Sequence, residues 1–238
     1  MKSSLTLRVE AELSKQDGDL KWVKCRLVSD LTNSKGKVFG EPRLHHEATV
    51  RLVEAGENLS QFLQNEVDSL PEIGTPPMGE LQHHSSFIYL RYFHGPRFQS
   101  HGGVLRGIDN GVDGIALMRH QLPVKDQFAL ESDGEEVLLD ALPMLIEAGF
   151  QNAGLAAMES DGYSSLPVGI EWTTMLRVPD ADETLRMRSV KVSSEDSGIT
   201  VHDVVIVGDD DAPVLSLKGL RLKAMGEVPE DQRFTLER

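Results

Sequence analysis

Asp140-Ala141-Leu142-Pro143-Met144-Leu145-Ile146-Glu147-Ala148-Gly149-Phe150-Gln151-Asn152-Ala153-Gly154-Leu155-Ala156-Ala157 is the stretch on which the fold turns. Leu142, Leu145, Ile146, Gly149, Phe150, Ala153 and Ala157 recur at helical spacing and make an almost wholly apolar face, so the helix is expected to be deeply buried. Asp is a preferred N-cap residue, and Pro is tolerated in the first helical turn, where its missing N–H does no harm. Asp140 with Pro143 therefore predicts a helix that starts near Asp140. Ile146 and Phe150 should face a sheet.

Outward from this helix the period changes from helical to two. Strand-like stretches are expected at Ser86 to Tyr92, Arg97 to Ile108 and Gly114 to Gln121 before it. After it they fall at Leu166 to Arg177, Leu185 to Ser193, Gly198 to Gly208 and Val214 to Met225, separated by acidic turns. Nearer the N-terminus, Leu5, Leu7, Val9, Ala11 and Leu13 alternate, Gln16-Asp17-Gly18-Asp19 supplies a turn, and strands at Lys21 to Ser29 and His46 to Val53 follow. A short amphipathic helix is expected from Asn58 to Leu70. The segment Pro71-Glu72-Ile73-Gly74-Thr75-Pro76-Pro77-Met78-Gly79 then reads as a linker. Antiparallel strands with one long helix make an α+β layout, divided as residues 1–55, 56–84, 85–225 and a tail at 226–238.

The chain has 238 residues, with 24 Lys+Arg against 38 Asp+Glu and a net charge of −14. Such a field repels phosphate backbones, so neither nucleic acid nor an anionic membrane surface is an expected partner. Cys25 is the only cysteine and no apolar run approaches a membrane span, which makes the cytoplasm the expected compartment. His45-His46 and His83-His84 are adjacent pairs, whose side chains on a strand would point to opposite faces, and no metal site is expected.

Three separated stretches carry chemistry together: Tyr89-Leu90-Arg91-Tyr92-Phe93-His94-Gly95-Pro96-Arg97-Phe98-Gln99, Val137-Leu138-Leu139-Asp140-Ala141 and Ser165-Leu166-Pro167-Val168-Gly169-Ile170. In this order and at these separations the chain resembles the C-terminal half of a polyketide synthase dehydratase domain. The same pattern occurs in the dehydratase-like regions of iterative polyunsaturated fatty acid and enediyne synthases. The resemblance implies a hotdog fold, a curved antiparallel sheet around a central helix, here as part of an incomplete double hotdog. It also implies a reaction, removal of water from a β-hydroxyacyl thioester held on the phosphopantetheine arm of an acyl carrier protein. No bound cofactor beyond that arm is implied, and the partners would be the carrier protein and flanking synthase domains.

By the same resemblance Asp140 is the acid at the departing hydroxyl. His94 is a candidate substitute base, because the Gly-Pro turn beside it at a strand end would aim its ring into the substrate tunnel. Tyr92, Gly95, Pro96, Phe98, Gln99, Met144, Leu166 and Pro167 would shape the substrate site. The family's own base lies in a His-x3-Gly-x4-Pro motif, which none of the eight histidines here matches. His94 stands where the family has tyrosine before Gly-Pro, and Met144 where it has a polar partner four residues past the aspartate. Without that motif the isolated chain is expected to have negligible dehydratase activity. Two other readings stay open: a non-catalytic hotdog that scaffolds a megasynthase or binds acyl chains, and a hotdog thioesterase using Glu147 or Asp140. The N-terminal strands lack a helix long enough to cover them, so a homodimer is expected.

Overall fold

The computed structural model describes residues 7–31, 37–38, 40–53, 59–95, 98–117, 136–180, 182–233 and 236–237. They form two compact units, Met1–Gln64 and Asn65–Arg238.

The first unit is a three-stranded antiparallel sheet in the order β1 (Leu7–Asp17), β2 (Leu20–Ser29), β3 (Arg43–Val53). The first hairpin is tighter than its sequence suggests. Gln16 and Asp17 remain in β1, and only Gly18-Asp19 turn, with Gly18 in the left-handed region at φ +57°. Cross-strand register gives the sheet two unlike faces. Glu10, Arg26 and Glu47 stand directly opposite one another, with Lys24 paired to Glu47 at 3.0 Å and Arg8 to Asp30 at 3.0 Å. The other face aligns Val9 with Leu27, Ala11 with Cys25 and Leu13 with Val23, and then Cys25 with Ala48 and Val23 with Val50. On that face Val9 is 70% and Leu13 54% exposed. Helix α1 (Leu59–Asp68) follows and runs across the division between the units.

The second unit is built from β4 (His83–His84), α2 (Ser85–Ile88), β5 (His101–Ile108), β6 (Gly111–Ala116), α3 (Glu136–Asp161), β7 (Tyr163–Gly169), β8 (Trp172–Met175), β9 (Leu185–Glu195), β10 (Ile199–Val207) and β11 (Pro213–Glu227). Its eight strands form one antiparallel sheet in the order β4-β5-β6-β9-β10-β11-β7, with β8 also on β11. Six of them, β5, β6, β7, β9, β10 and β11, touch α3, so the sheet curls about the helix. Leu145, Ala148, Ala153 and Ala157 of α3 pack with Leu185, Met187, Val204, Ile206, Leu215, Leu217, Leu220 and Leu222 from the sheet. Ile146 and Phe150 lie half-buried against this core. Residues 151–158 are buried on every side, as expected for a central helix.

Several boundaries differ from the sequence expectation. The stretch Ser86 to Tyr92 is not a strand but a short helix and turn, with Tyr89 N–H bonded to Ser85 O and Tyr92 N–H to Ile88 O. Ile88 is buried while Leu90, two residues on, is 82% exposed, and Arg91 lies over the Phe87 ring four residues back. Four-residue neighbours, not alternate residues, share a face there. Helix α3 begins at Glu136, so Asp140 is its fifth residue and not its N-cap, and Pro143 is interior. Pro143 leaves the Leu139 carbonyl without its usual donor, and its exposed position keeps the ring out of the core. The long strand expected from Leu166 to Arg177 is divided into β7 and β8. Both pair with β11 on either side of Gly219, whose φ of +65° bulges that strand, and Asp203 Oδ1 accepts the Gly219 N–H at 2.8 Å. β5 begins four residues later than expected, at His101, and β6 three residues earlier, at Gly111. Residues 118–121 of the expected Gly114–Gln121 strand lie outside the described residues.

The Pro/Gly linker is fastened to the sheet of its own unit. Arg188 on β9 holds the fully buried Asp113 carboxylate at 2.6 and 2.8 Å and donates its remaining nitrogen to Ile73 O at 3.0 Å. Arg186 donates to Pro76 O and Gly208 O. At the other end, Glu237 exchanges two hydrogen bonds with the Gln82 side chain and accepts the Gly107 N–H, while Leu236 is buried.

Candidate active site

The described residues of the first motif, 89–95 and 98–99, form a hook on one face of α3. Tyr89 and Tyr92 leave the α2 turn with their hydroxyls against the helix. Tyr92 donates to Gln151 O at 2.8 Å, an approach open because residue 154 is glycine, where a Cβ would stand 2.6 Å from the Tyr92 hydroxyl oxygen. Tyr89 donates to Gln151 Oε1 at 2.6 Å and accepts the His101 N–H at 2.7 Å. Gln151 Nε2 donates to Phe98 O at 2.6 Å and to Glu147 Oε1 at 2.9 Å. His94 Nε2 donates to that same Glu147 oxygen at 2.9 Å. Gln99 closes the hook by donating to His94 O at 3.2 Å.

The electrostatics follow from this packing. Burial, with the fields of Tyr89 and Glu147 added, pushes the Tyr92 phenol above its ordinary range, so Tyr92 acts as a neutral donor. Phe93, itself 80% exposed, stacks on the His94 ring at 4.7 Å, and Tyr92 meets the ring edge-on. The second ring nitrogen of His94, Nδ1, is buried and has no hydrogen-bond partner among the described residues. Beneath the hook, His101 Nε2 donates to Asn152 Oδ1 at 3.0 Å while its Nδ1 accepts the Gly103 N–H. Asn152 in turn donates to Val112 O and Ser189 Oγ. Desolvation pushes His101 down to about 4, partly offset by the Asn152 bond.

Of the residues singled out in the sequence, Tyr92, His94, Phe98 and Gln99 come together against α3. Gly95 is exposed in the same turn, accepting the Phe98 N–H. Pro96 lies outside the described residues. Met144 is half-buried one helical turn before Glu147. Asp140 stands two turns before Glu147 on the helix, about 10 Å along its axis, and its side chain lies outside the described residues. Leu166 and Pro167 are exposed on β7, and none of the bonds holding the hook involves them. The residues not anticipated as a group are Tyr89, Gln151 and Asn152. Their signal was available, since Gln151 and Asn152 are polar side chains inside an apolar helix, where a buried amide requires partners.

A cavity of about 410 Å³ lies at the far end of α3, where Lys191 Nζ bonds both oxygens of Asp161 beside Ser165 and Thr200. Above Thr200, burial pushes His202 down to about 4. Among the described residues no three His, Cys, Asp or Glu side chains gather as a metal site.

A family model described as the polyketide synthase dehydratase N-terminal domain matches residues 82–232. That description names the other half from the one the motifs resemble, but the family is the same. No curated protein matches the sequence. Among solved structures, a variant of the PpsC dehydratase domain from Mycobacterium tuberculosis aligns at TM-score 0.60 and 14% identity, over 93% of this chain and 69% of that one. A trans-AT polyketide synthase dehydratase domain from Brevibacillus brevis aligns at 0.58 and 13%, over 92% and 70%. The dehydratase domain from the CurJ module of curacin polyketide synthase aligns at 0.58 and 14%, over 92% and 68%. At such identities these likenesses establish the fold, which is the hotdog, and the family model, spanning well over half of the sequence, establishes the lineage: the chain belongs to the polyketide synthase dehydratase family.

Proposed function

We propose that this chain handles β-hydroxyacyl thioesters presented on the phosphopantetheine arm of an acyl carrier protein, as the C-terminal part of a double hotdog within a synthase. The observation that carries the reading is the hook at Tyr92 to Gln99, drawn onto the central helix that also bears Asp140. In the elimination a base takes the α-proton, the released electron pair forms the Cα=Cβ bond, and the Cβ–O bond breaks as an acid protonates the leaving hydroxide to water. Asp140 is assigned the acid role by its motif. No cofactor beyond the substrate's arm is needed. The carrier protein, flanking domains and a second copy of the chain are the proposed partners, and the cytoplasm is the proposed compartment. Among the described residues no helix is long and apolar enough to cross a membrane.

The test presents a β-hydroxybutyryl carrier protein to the chain and follows binding and thioester products by mass spectrometry. The expected outcome is tighter binding of the acylated carrier than of the unloaded one, with whatever enoyl thioester the chain forms lost in Asp140→Asn. Equal affinity for loaded and unloaded carrier would sink the reading. Selective binding with no enoyl product would favour the acyl-binding scaffold, which Met144 and the absent His-x3-Gly-x4-Pro motif support. Release of free carrier thiol would instead identify a thioesterase, a role for which Glu147 is poorly free, since its carboxylate already accepts from His94 and Gln151.

A further inference from the structure

We infer that His94, with Glu147 as its positioning residue, is this chain's own proton acceptor for the α-carbon of the bound acyl thioester, in place of the missing His-x3-Gly-x4-Pro histidine. The inference rests on the proposed thioester reading and adds to it the partner, Glu147, that orients His94 as a base.

A neutral imidazole has one N–H and one lone pair, and the bond made by one nitrogen decides the state of the other. His94 Nε2 lies 2.9 Å from Glu147 Oε1, and a carboxylate accepts only, so Nε2 carries the proton and Nδ1 the lone pair. Glu147 is itself fixed from behind. Gln151 donates to it, and Gln151 is pinned by Tyr89 and by the Phe98 carbonyl. The whole chain of bonds, from the His101 N–H through Tyr89, Gln151 and Glu147, ends at the imidazole. A carboxylate behind a histidine also stabilises the imidazolium that forms when the ring accepts a proton, the same logic that orients histidine in hydrolytic triads.

Nδ1 is the unexplained atom of this arrangement. It is buried and has no partner among the described residues, whereas a buried polar atom ordinarily has one. Phe93, a large ring left 80% exposed, stacks on one face of the imidazole, so that face is covered by a side chain at the surface. An acyl thioester entering there would supply the C–H that Nδ1 lacks. In the step, the α C–H bond breaks, its electron pair moves into the thioester carbonyl to give the enolate, and the proton bonds to Nδ1. Return of a proton from the ring restores the thioester.

That reversal permits a test independent of Asp140 and of any leaving group. The full chain is incubated in D2O with butyryl carrier protein, which has no β-hydroxyl, and deuterium entering the α-carbon is measured by mass spectrometry beside thioester binding. We expect exchange by the native chain, a fall of about 100-fold or more in His94→Gln, and a fall of about tenfold in kcat but not KM in Glu147→Gln. Nitrogen-15 NMR of the unliganded native protein should find His94 protonated at Nε2 and bare at Nδ1, a readout that requires no variant. A bound thioester that does not exchange, exchange that survives His94→Gln, or a proton on Nδ1 would each overturn the inference while leaving the thioester reading intact. Failure of the thioester to bind would remove that reading, and the inference with it.

Discussion

His101 and His202 sit inside the second unit with no exposed surface, and both are held far below the ordinary histidine range, at about 4, chiefly by burial. Their consequence for stability has a definite sign. The unfolded chain takes up these protons near pH 6.5, whereas the folded chain refuses them until about pH 4. Stability is therefore complete above pH 6.5 and declines as pH falls from there toward 4, by at most about 1.4 kcal/mol per pH unit for each histidine. Urea midpoints at pH 7.5, 6 and 5 should fall in that order, and His101→Asn with His202→Gln should flatten the trend. A native midpoint independent of pH over this range would contradict the burial of both rings. At this scale the sequence was only partly legible. His94 could be singled out from its motif, but its partner Glu147 lies 53 positions away and becomes a neighbour only when the hook closes. Asp140 misled in another way. Its residue type satisfies the N-cap rule, yet the helical segment continues four residues in front of it.

The central helix was legible where burial dictated its composition and illegible where it did not. Its middle, Leu145 to Met158, is apolar except at Glu147, Gln151 and Asn152 because six strands surround it, and that requirement writes itself into the sequence. Its first turns obey no such demand, and Pro143 reads locally as a first-turn residue although it stands well inside. The α2 turn failed for a related reason. Phe87-Ile88-Tyr89-Leu90 is apolar at every position, so alternation and helical spacing fit equally well, and only the burial of Ile88 beside the exposure of Leu90 separates them. Most strands of the curled sheet were legible from their apolar patterning, but the two-residue β4 was not, and the break between β7 and β8 required knowledge of Gly219 on a partner strand. Fully buried Leu145 and half-buried Phe150 now make a graded comparison. Leu145→Ala should cost about 2–5 kcal/mol, and Phe150→Ala less than the roughly 3–5 kcal/mol of a fully enclosed ring. Denaturant titration measures both, and an unchanged Leu145→Ala midpoint would mean that α3 is not central.

Across the whole molecule, charge and apolar surface are distributed unequally. The first unit places its ion pairs on one sheet face, where pairs this exposed add little stability, and leaves a row of aliphatic side chains on the other. A two-fold partner is the commonest means by which one patch covers itself. The expected outcome in light scattering is a mass that rises with concentration toward twice the 26.3 kDa of the chain, and that returns toward one chain in Val9→Lys with Leu13→Lys. A mass constant at 26.3 kDa would leave the second copy without support. The alternation of Leu7, Val9, Ala11 and Leu13 forecast this face directly. What lay beyond sequence reading was the ladder of Glu10, Arg26 and Glu47 behind it, because a register across three strands is not encoded in any one of them.

The fastening of Ile73 and Pro76 to Arg188 and Arg186 means that ancestry and self-sufficiency do not share a boundary in this protein. A fragment trimmed to the family match at 82–232 would strip carbonyl acceptors from the buried Arg186 and the largely buried Arg188, a loss of about 1–3 kcal/mol for each group left stranded away from water. It would also discard Leu236 and Glu237, which cap the outer edge of β5. The smallest piece that keeps its own interior closed starts before Ile73 and extends through Glu237, so the segment that looked like a spacer belongs to the body it was thought to separate.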